Sequence, residues 1–252
     1  MSDIKFVSTK LNNAGKKGVL TPDSDGYYEL IIGGLNVFNS AGEFYLLNGA
    51  EALFTESSTF MRRVKNGCLR GELGHPKKPP GMTDKAYLDR IYTIDESNIC
   101  CHFKEVWLDV EYGKKNPELK NPQLVAIMAK LKPSGPKGSS LKESLDNPDE
   151  NVCFSIRALT RDFYQRGVNN RVLDTIVTFD NVNEGGIHVA NKWQAPALEN
   201  LVEGVVTREI IEDIIHNYKT SGVATESNMA LAVESLKSFE PSVNALPLYS
   251  TW

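Results

Sequence analysis

Only four cysteines stand among the 252 residues, and no two are spaced as CxxC. Cys68, Cys100, Cys101 and Cys153 therefore match no zinc or thioredoxin-like pattern, and a reducing compartment keeps them as thiols. Cys100 and Cys101 are adjacent in a β-rich run, so they point to opposite faces of a strand and a metal site is not expected. No apolar run approaches the ~20 residues that a membrane span needs. The opening MSDIKFVSTK lacks the apolar stretch of a signal peptide, so a cytosolic protein without a membrane partner is expected. No basic tract or aromatic–basic interleaving occurs, and the net charge is −4, which argues against nucleic acid as a partner. There is no G-x-S-x-G elbow, which disfavours an esterase of the α/β-hydrolase kind. Internal repeats and low-complexity segments are absent too.

What is present is ordinary globular material, 41% hydrophobic and 24% charged. The length suits one large domain or two small ones. "YYELIIGGLNVFN" (27–39) reads as a strand, and "EFYLLNG" (43–49) as its hairpin partner across Asn39-Ser40-Ala41-Gly42. "SSTFMRRVKNG" (57–67) reads as a helix capped by Ser57 or Ser58 and stopped at Gly67. "CLRGEL" (68–73) is a short strand, and Thr83 can cap a helix over "DKAYLDRIY". Strands follow at 98–112, 124–131, 152–160 and 171–182, with a short helix at 139–147 opened by a Ser140/Glu143 capping box. Amphipathic helices cover 207–219 and 227–239. Residues 1–195 are thus expected as a mostly β domain and 196–252 as a helical segment packed on it or tethered to it.

Three places carry polar side chains where chemistry could use them. "GCLRGELGHP" ends a strand on His75, which Pro76 holds rigidly; that suits a general base, and equally a corner histidine bonded to backbone. In "VCFSIRALT", Ser155 and Arg157 share the face opposite Phe154, Ile156 and Ala158. A hydroxyl beside a cation suits attack on a carbonyl with stabilisation of the resulting anion, but the pattern alone fits a solvated sheet edge better. In "RVLDTIVTFDNV", Asp174, Thr178 and Asp180 fall on one face by alternation, and a carboxylate there could orient an imidazole.

Taken in order, "LRGELGHP", "NICCHFKEVWLD", "VCFSIRAL" and "VTFDNV" resemble the capsid-maturation (prohead) proteases of tailed phages, in particular the T4-like and giant Pseudomonas-phage branches. The resemblance covers roughly residues 25–185. It implies a fold similar to the herpesvirus assemblins: an α+β chain with a mostly antiparallel β-barrel surrounded by helices. It aligns His75 with the catalytic histidine and Ser155 with the nucleophile. Asp180 falls on the strand that carries the third member, with Asp174 and His102 behind it, and Arg157 becomes a candidate oxyanion donor. Ile156, Phe154 and Cys101 depart from the family pattern, where serine, glycine and serine often stand.

The resemblance implies a serine endopeptidase with no metal or organic cofactor, expected as a homo-oligomer inside the prohead and possessing scaffold, core and major capsid proteins as substrates. Similar enzymes cut after glutamate and cut themselves. Glu226, Glu234 and Glu240 end small-x-Glu triplets near the C-terminus, and Glu226, in the loop "TSGVATES", is the favoured position. The alternative is a non-catalytic scaffold or head-core protein on the same fold.

Overall fold

The chain alternates strands and helices in a computed structural model that describes residues 4–12, 20, 22–147, 149–187, 202–221 and 225–237. In order these are β1 (Ile4–Asn12), β2 (Tyr28–Leu35), β3 (Val37–Phe38), β4 (Glu43–Tyr45), α1 (Thr59–Lys65), β5 (Arg70–Glu72), α2 (Asp84–Tyr92) and β6 (Ile99–Asp109). There follow α3 (Tyr112–Lys115), β7 (Val125–Pro133), α4 (Gly138–Asp146), β8 (Cys153–Gln165), β9 (Val168–Val182), β10 (Val202–Val206), α5 (Arg208–Ser221) and α6 (Glu226–Lys237).

The described strands form two sheets. One runs β10-β1-β8-β9-β4-β3 and the other β2-β7-β6-β5. The α+β class is as expected, but these strands do not pair as one closed barrel. The short β5 meets the six-stranded sheet at its end, through a single bridge between Leu73 and Asn181, rather than along a ladder. All ladders are antiparallel except β4 on β9.

Local chemistry accounts for most element ends. Ser58 accepts from the Met61 amide at the start of α1, and Thr83 from the Ala86 amide at the start of α2. The Ser140/Glu143 capping box does not form: α4 begins earlier, at Gly138, and Lys137 precedes it without a side-chain cap. The hairpin expected between 27–39 and 43–49 involves only β3 and β4, because Asn36 adopts φ 54° and turns the chain out of the sheet that holds β2. β8 and β9 are joined by Arg166 and Gly167, at φ 53° and 81°, a two-residue turn whose left-handed backbone matches the twist of the strands.

That hairpin is buried on both sides. Phe154, Ile156 and Phe179 face the second sheet and join Phe103, Ile127 and Leu131 in the larger core cluster. Leu159 and Val177 face the helices and pack with Leu88 and Ile91 of α2, Ile211 and Ile214 of α5, and Leu231 of α6. The face expected to be a solvated edge is therefore roofed by helices, and Ser155 and Arg157 are wholly buried. The β9 ladder also skips Val177 and Asp174, the two irregularities in its pairing with β8. Asp174 is thus one of the two β9 residues without a β8 partner, and it stands roughly 20 Å along the strand from Asp180, so a shared strand does not bring it to His75.

Candidate active site

Ser155 and Asp180 are direct cross-strand partners in the β8–β9 hairpin. Residues opposite one another on antiparallel strands point to the same side. The hairpin register thus puts a hydroxyl and a carboxylate side by side from positions 25 apart in sequence.

His75 reaches them from β5. Gly74, at φ 79°, donates its amide to the Asn181 carbonyl at 2.5 Å, which ties the end of β5 to β9. The Tyr87 hydroxyl of α2 donates to the Pro76 carbonyl at 2.9 Å. Backbone anchors thus hold His75 on both sides. Its Nδ1 lies 2.9 Å from Asp180 Oδ2, and its Nε2 makes a short hydrogen bond with Ser155 Oγ. A hydroxyl on an imidazole that a carboxylate orients is the arrangement of nucleophile, base and orienting acid.

Asp180 is held from further directions. The Glu72 amide donates to Oδ1 at 3.1 Å, and Arg157 donates through Nη2 at 2.7 Å and Nε at 2.8 Å. Burial alone would raise the Asp180 pKa; the Arg157 guanidinium and His75 outweigh it and hold the carboxyl below its ordinary range. This corrects the expectation for Arg157. Its guanidinium is committed to Asp180 and, at 3.0 Å, to Glu72, with a further bond to the Thr93 carbonyl. It braces the acid instead of pointing a free donor at an oxyanion.

A family model described as the peptidase S80 family matches residues 6–240. The chain belongs to the peptidase S80 family. A capsid maturation protease of Pseudomonas phage phiKZ is 41% identical over 197 residues, covering 77% of this chain and 70% of that protein. The solved structure of the bacteriophage T4 capsid assembly protease is 14% identical and covers 71% of this chain and 98% of its own, with a TM-score of 0.47.

In this S80 peptidase the two reserve candidates lie elsewhere. Asp174 is bound by Arg161, whose Nε donates to Oδ2 at 3.0 Å. His102 sits opposite Arg70 in the other sheet, 3.2 Å from the Tyr27 hydroxyl, and burial, then Arg70, pulls its pKa down. Sequence reasoning missed Glu72 and Arg90. Glu72 is fully buried and accepts from Arg90, from the Asp95 amide at 2.9 Å and from Asn98, so it anchors Arg157 in turn. A signal was available: an acid stands between a glycine and a leucine in "RGEL", where a solvated strand face would need more polar company.

Proposed function

We propose that this peptidase is a serine endopeptidase in which Ser155 attacks the scissile carbonyl, His75 takes the proton and returns it to the leaving amine, and Asp180 orients the imidazole and stabilises its charged form. The observation that carries this reading is the unbroken hydrogen-bonded chain from Asp180 through His75 to Ser155. With Arg157 engaged by carboxylates, backbone N–H groups are left as the donors to the oxyanion. The name of the phiKZ relative supports a place in phage capsid maturation. The substrates would then be scaffold, core and capsid proteins inside the prohead. Cleavage after glutamate, in substrates and in the chain's own C-terminal region, belongs to the same proposal.

One observation favours the second reading, a non-catalytic head-core protein: Ser155 is 0% exposed. The side chain of His75 is 14% exposed, so of the three residues the imidazole is the one that meets solvent. A fluorophosphonate probe separates the two readings. The enzyme is expected to take one label on Ser155 and lose it in Ser155→Ala. Folded protein that takes no label supports the non-catalytic head-core reading.

A further inference from the structure

A cavity of about 680 Å³ opens beside α1, β5, the Ser134–Gly135 turn after β7 and the first turn of α6. None of Ser155, His75 and Asp180 lines it. Arg63 and Arg70 do, and Glu96 is the acid among its lining residues.

Arg63 is the unusual member. It is 5% exposed, and its Nη1 donates to the Val177 carbonyl, but its enclosed Nε has no hydrogen-bond partner. Among the described residues it makes no ion pair, and the charged neighbour that burdens it is another cation, Arg157. Burial first, and Arg157 second, lower its pKa to about 10, so it is still charged at neutral pH. A buried guanidinium without a counter-ion is costly, and an anion in the cavity would relieve it. Helix α6 adds a second source of positive potential. Thr225, Ser227 and Asn228 line the cavity, and the Thr225 hydroxyl takes the Asn228 amide at 3.2 Å, so the cavity faces the positive end of a 12-residue helix.

We infer that this cavity binds a carboxylate carried on a peptide, at a site separate from Ser155 and His75. Two arginines against one glutamate leave a single positive charge, which one carboxylate balances and a phosphate dianion exceeds. The volume admits a side chain or a chain end as well as the charged group. A neighbouring cavity lined by Tyr27, His102 and Lys132 shares Arg70 and Ser134 with this one, which offers a bound peptide a polar path onward.

Cys68 reports on occupancy. It is exposed and lines the cavity, whereas Cys100, Cys101 and Cys153 are buried. Alkylation of Cys68 by iodoacetamide in the full-length protein, followed by intact mass, is the measurement. Acetyl-Ala-Glu-Ala-amide tests a single side-chain carboxylate, and acetyl-trialanine with a free C-terminus tests the terminal one. One of the two is expected to slow alkylation roughly tenfold at about ten times its dissociation constant. Inorganic phosphate at matched ionic strength, under alkaline conditions where the dianion prevails, should not. Arg63→Gln and Arg70→Gln should each remove most of the protection. If Arg63→Gln fails to fold, Arg70→Gln carries the test alone. Ser155→Ala protein should be protected as the wild type is, which separates this site from the catalytic proposal. No protection by either peptide, equal protection by phosphate, or undiminished protection in Arg70→Gln would overturn the inference.

Discussion

Arg157 lies wholly buried between Asp180 and Glu72, and Arg90 closes the group on the other side of Glu72. Arg157 and both carboxylates lie out of water and Arg90 only partly so, and such a buried group survives only when its charges are paired and hydrogen-bonded. Its consequence is that Asp180 stays ionised beside the imidazole. Asp180→Asn should therefore lower kcat by about 10⁴, as replacement of a triad acid does elsewhere, with little change in KM. Asp174→Asn and His102→Ala should stay within a few-fold of wild type, since Arg161 and Tyr27 occupy those side chains away from Ser155. Steady-state kinetics on a peptide substrate decides the ranking, and a severe loss in Asp174→Asn would reverse it. The same carboxylate couples stability to pH. Its folded pKa is depressed, so its contribution is fully present above the unfolded value of ~3.9 and is lost as pH falls through the folded value. Urea unfolding from pH 7 to pH 3 should give a steeper acid loss for wild type than for Asp180→Asn; parallel curves would mean that Asp180 carries no such linkage.

At the scale of elements, β5 is the short strand on which the site depends. "GCLRGELGHP" places a glycine before the buried acid and another before the histidine, and each has its own cause. A Cβ on Gly71 would stand 2.5 Å from the Phe179 carbonyl oxygen and 2.7 Å from Cys101 Sγ, so only glycine lets β5 lie this close to β9. Gly74 needs φ 79° to turn His75 toward Ser155. Gly71→Ala should push β5 outward, loosen the Glu72 amide from Asp180 and shift His75. A misplacement on the order of 1 Å at a reacting group costs roughly 10² in rate. We expect a loss of that size in kcat for protein that still folds, measured beside a thermal melt. A variant with wild-type kcat would show that the close approach of β5 serves packing alone.

For the whole molecule, the helical roof and the self-cleavage proposal bear on each other. Glu226 is the first residue of α6, not a loop residue as its small polar neighbours suggested, because Thr225 caps the helix one position earlier than expected. Glu234 lies within α6, where burial pushes its carboxyl up, and Glu240 lies outside the described residues. Cutting after Glu226 would release α6, which contributes Leu231 and Ala232 to the cluster over β8 and β9. The first turn of a helix frays more readily than its middle, so Glu226 keeps its place ahead of Glu234. Incubated active protein is expected to lose residues 227–252 by intact mass, more slowly than it processes an unstructured substrate, while Ser155→Ala stays full length. An active protein that remains intact through many turnovers would remove self-cleavage at this position.

The sequence by itself determined most element types between Tyr28 and Val182, two helix caps and the order of the polar residues that matter, while the strands β1 and β10 went unread. Alternation, turn chemistry and N-cap side chains act within a few residues, so they are legible from "SSTFMRR", "TDKAYLDRIY" or "VCFSIRALT" without the fold. The proximity of His75, Ser155 and Asp180 was legible only through resemblance, since no local rule links positions 80 and 105 residues apart. Tertiary structure decided the rest. Arg161 took Asp174 at the far end of β9, the helices turned a supposed solvent face into a buried one, and that burial changed Arg157 from a free donor into the partner of two carboxylates. Whether a strand face meets water or a helix depends on what packs over it: Leu159 and Val177 lie under α2, α5 and α6, and Arg157 reaches the Thr93 carbonyl at the end of α2, all distant in sequence.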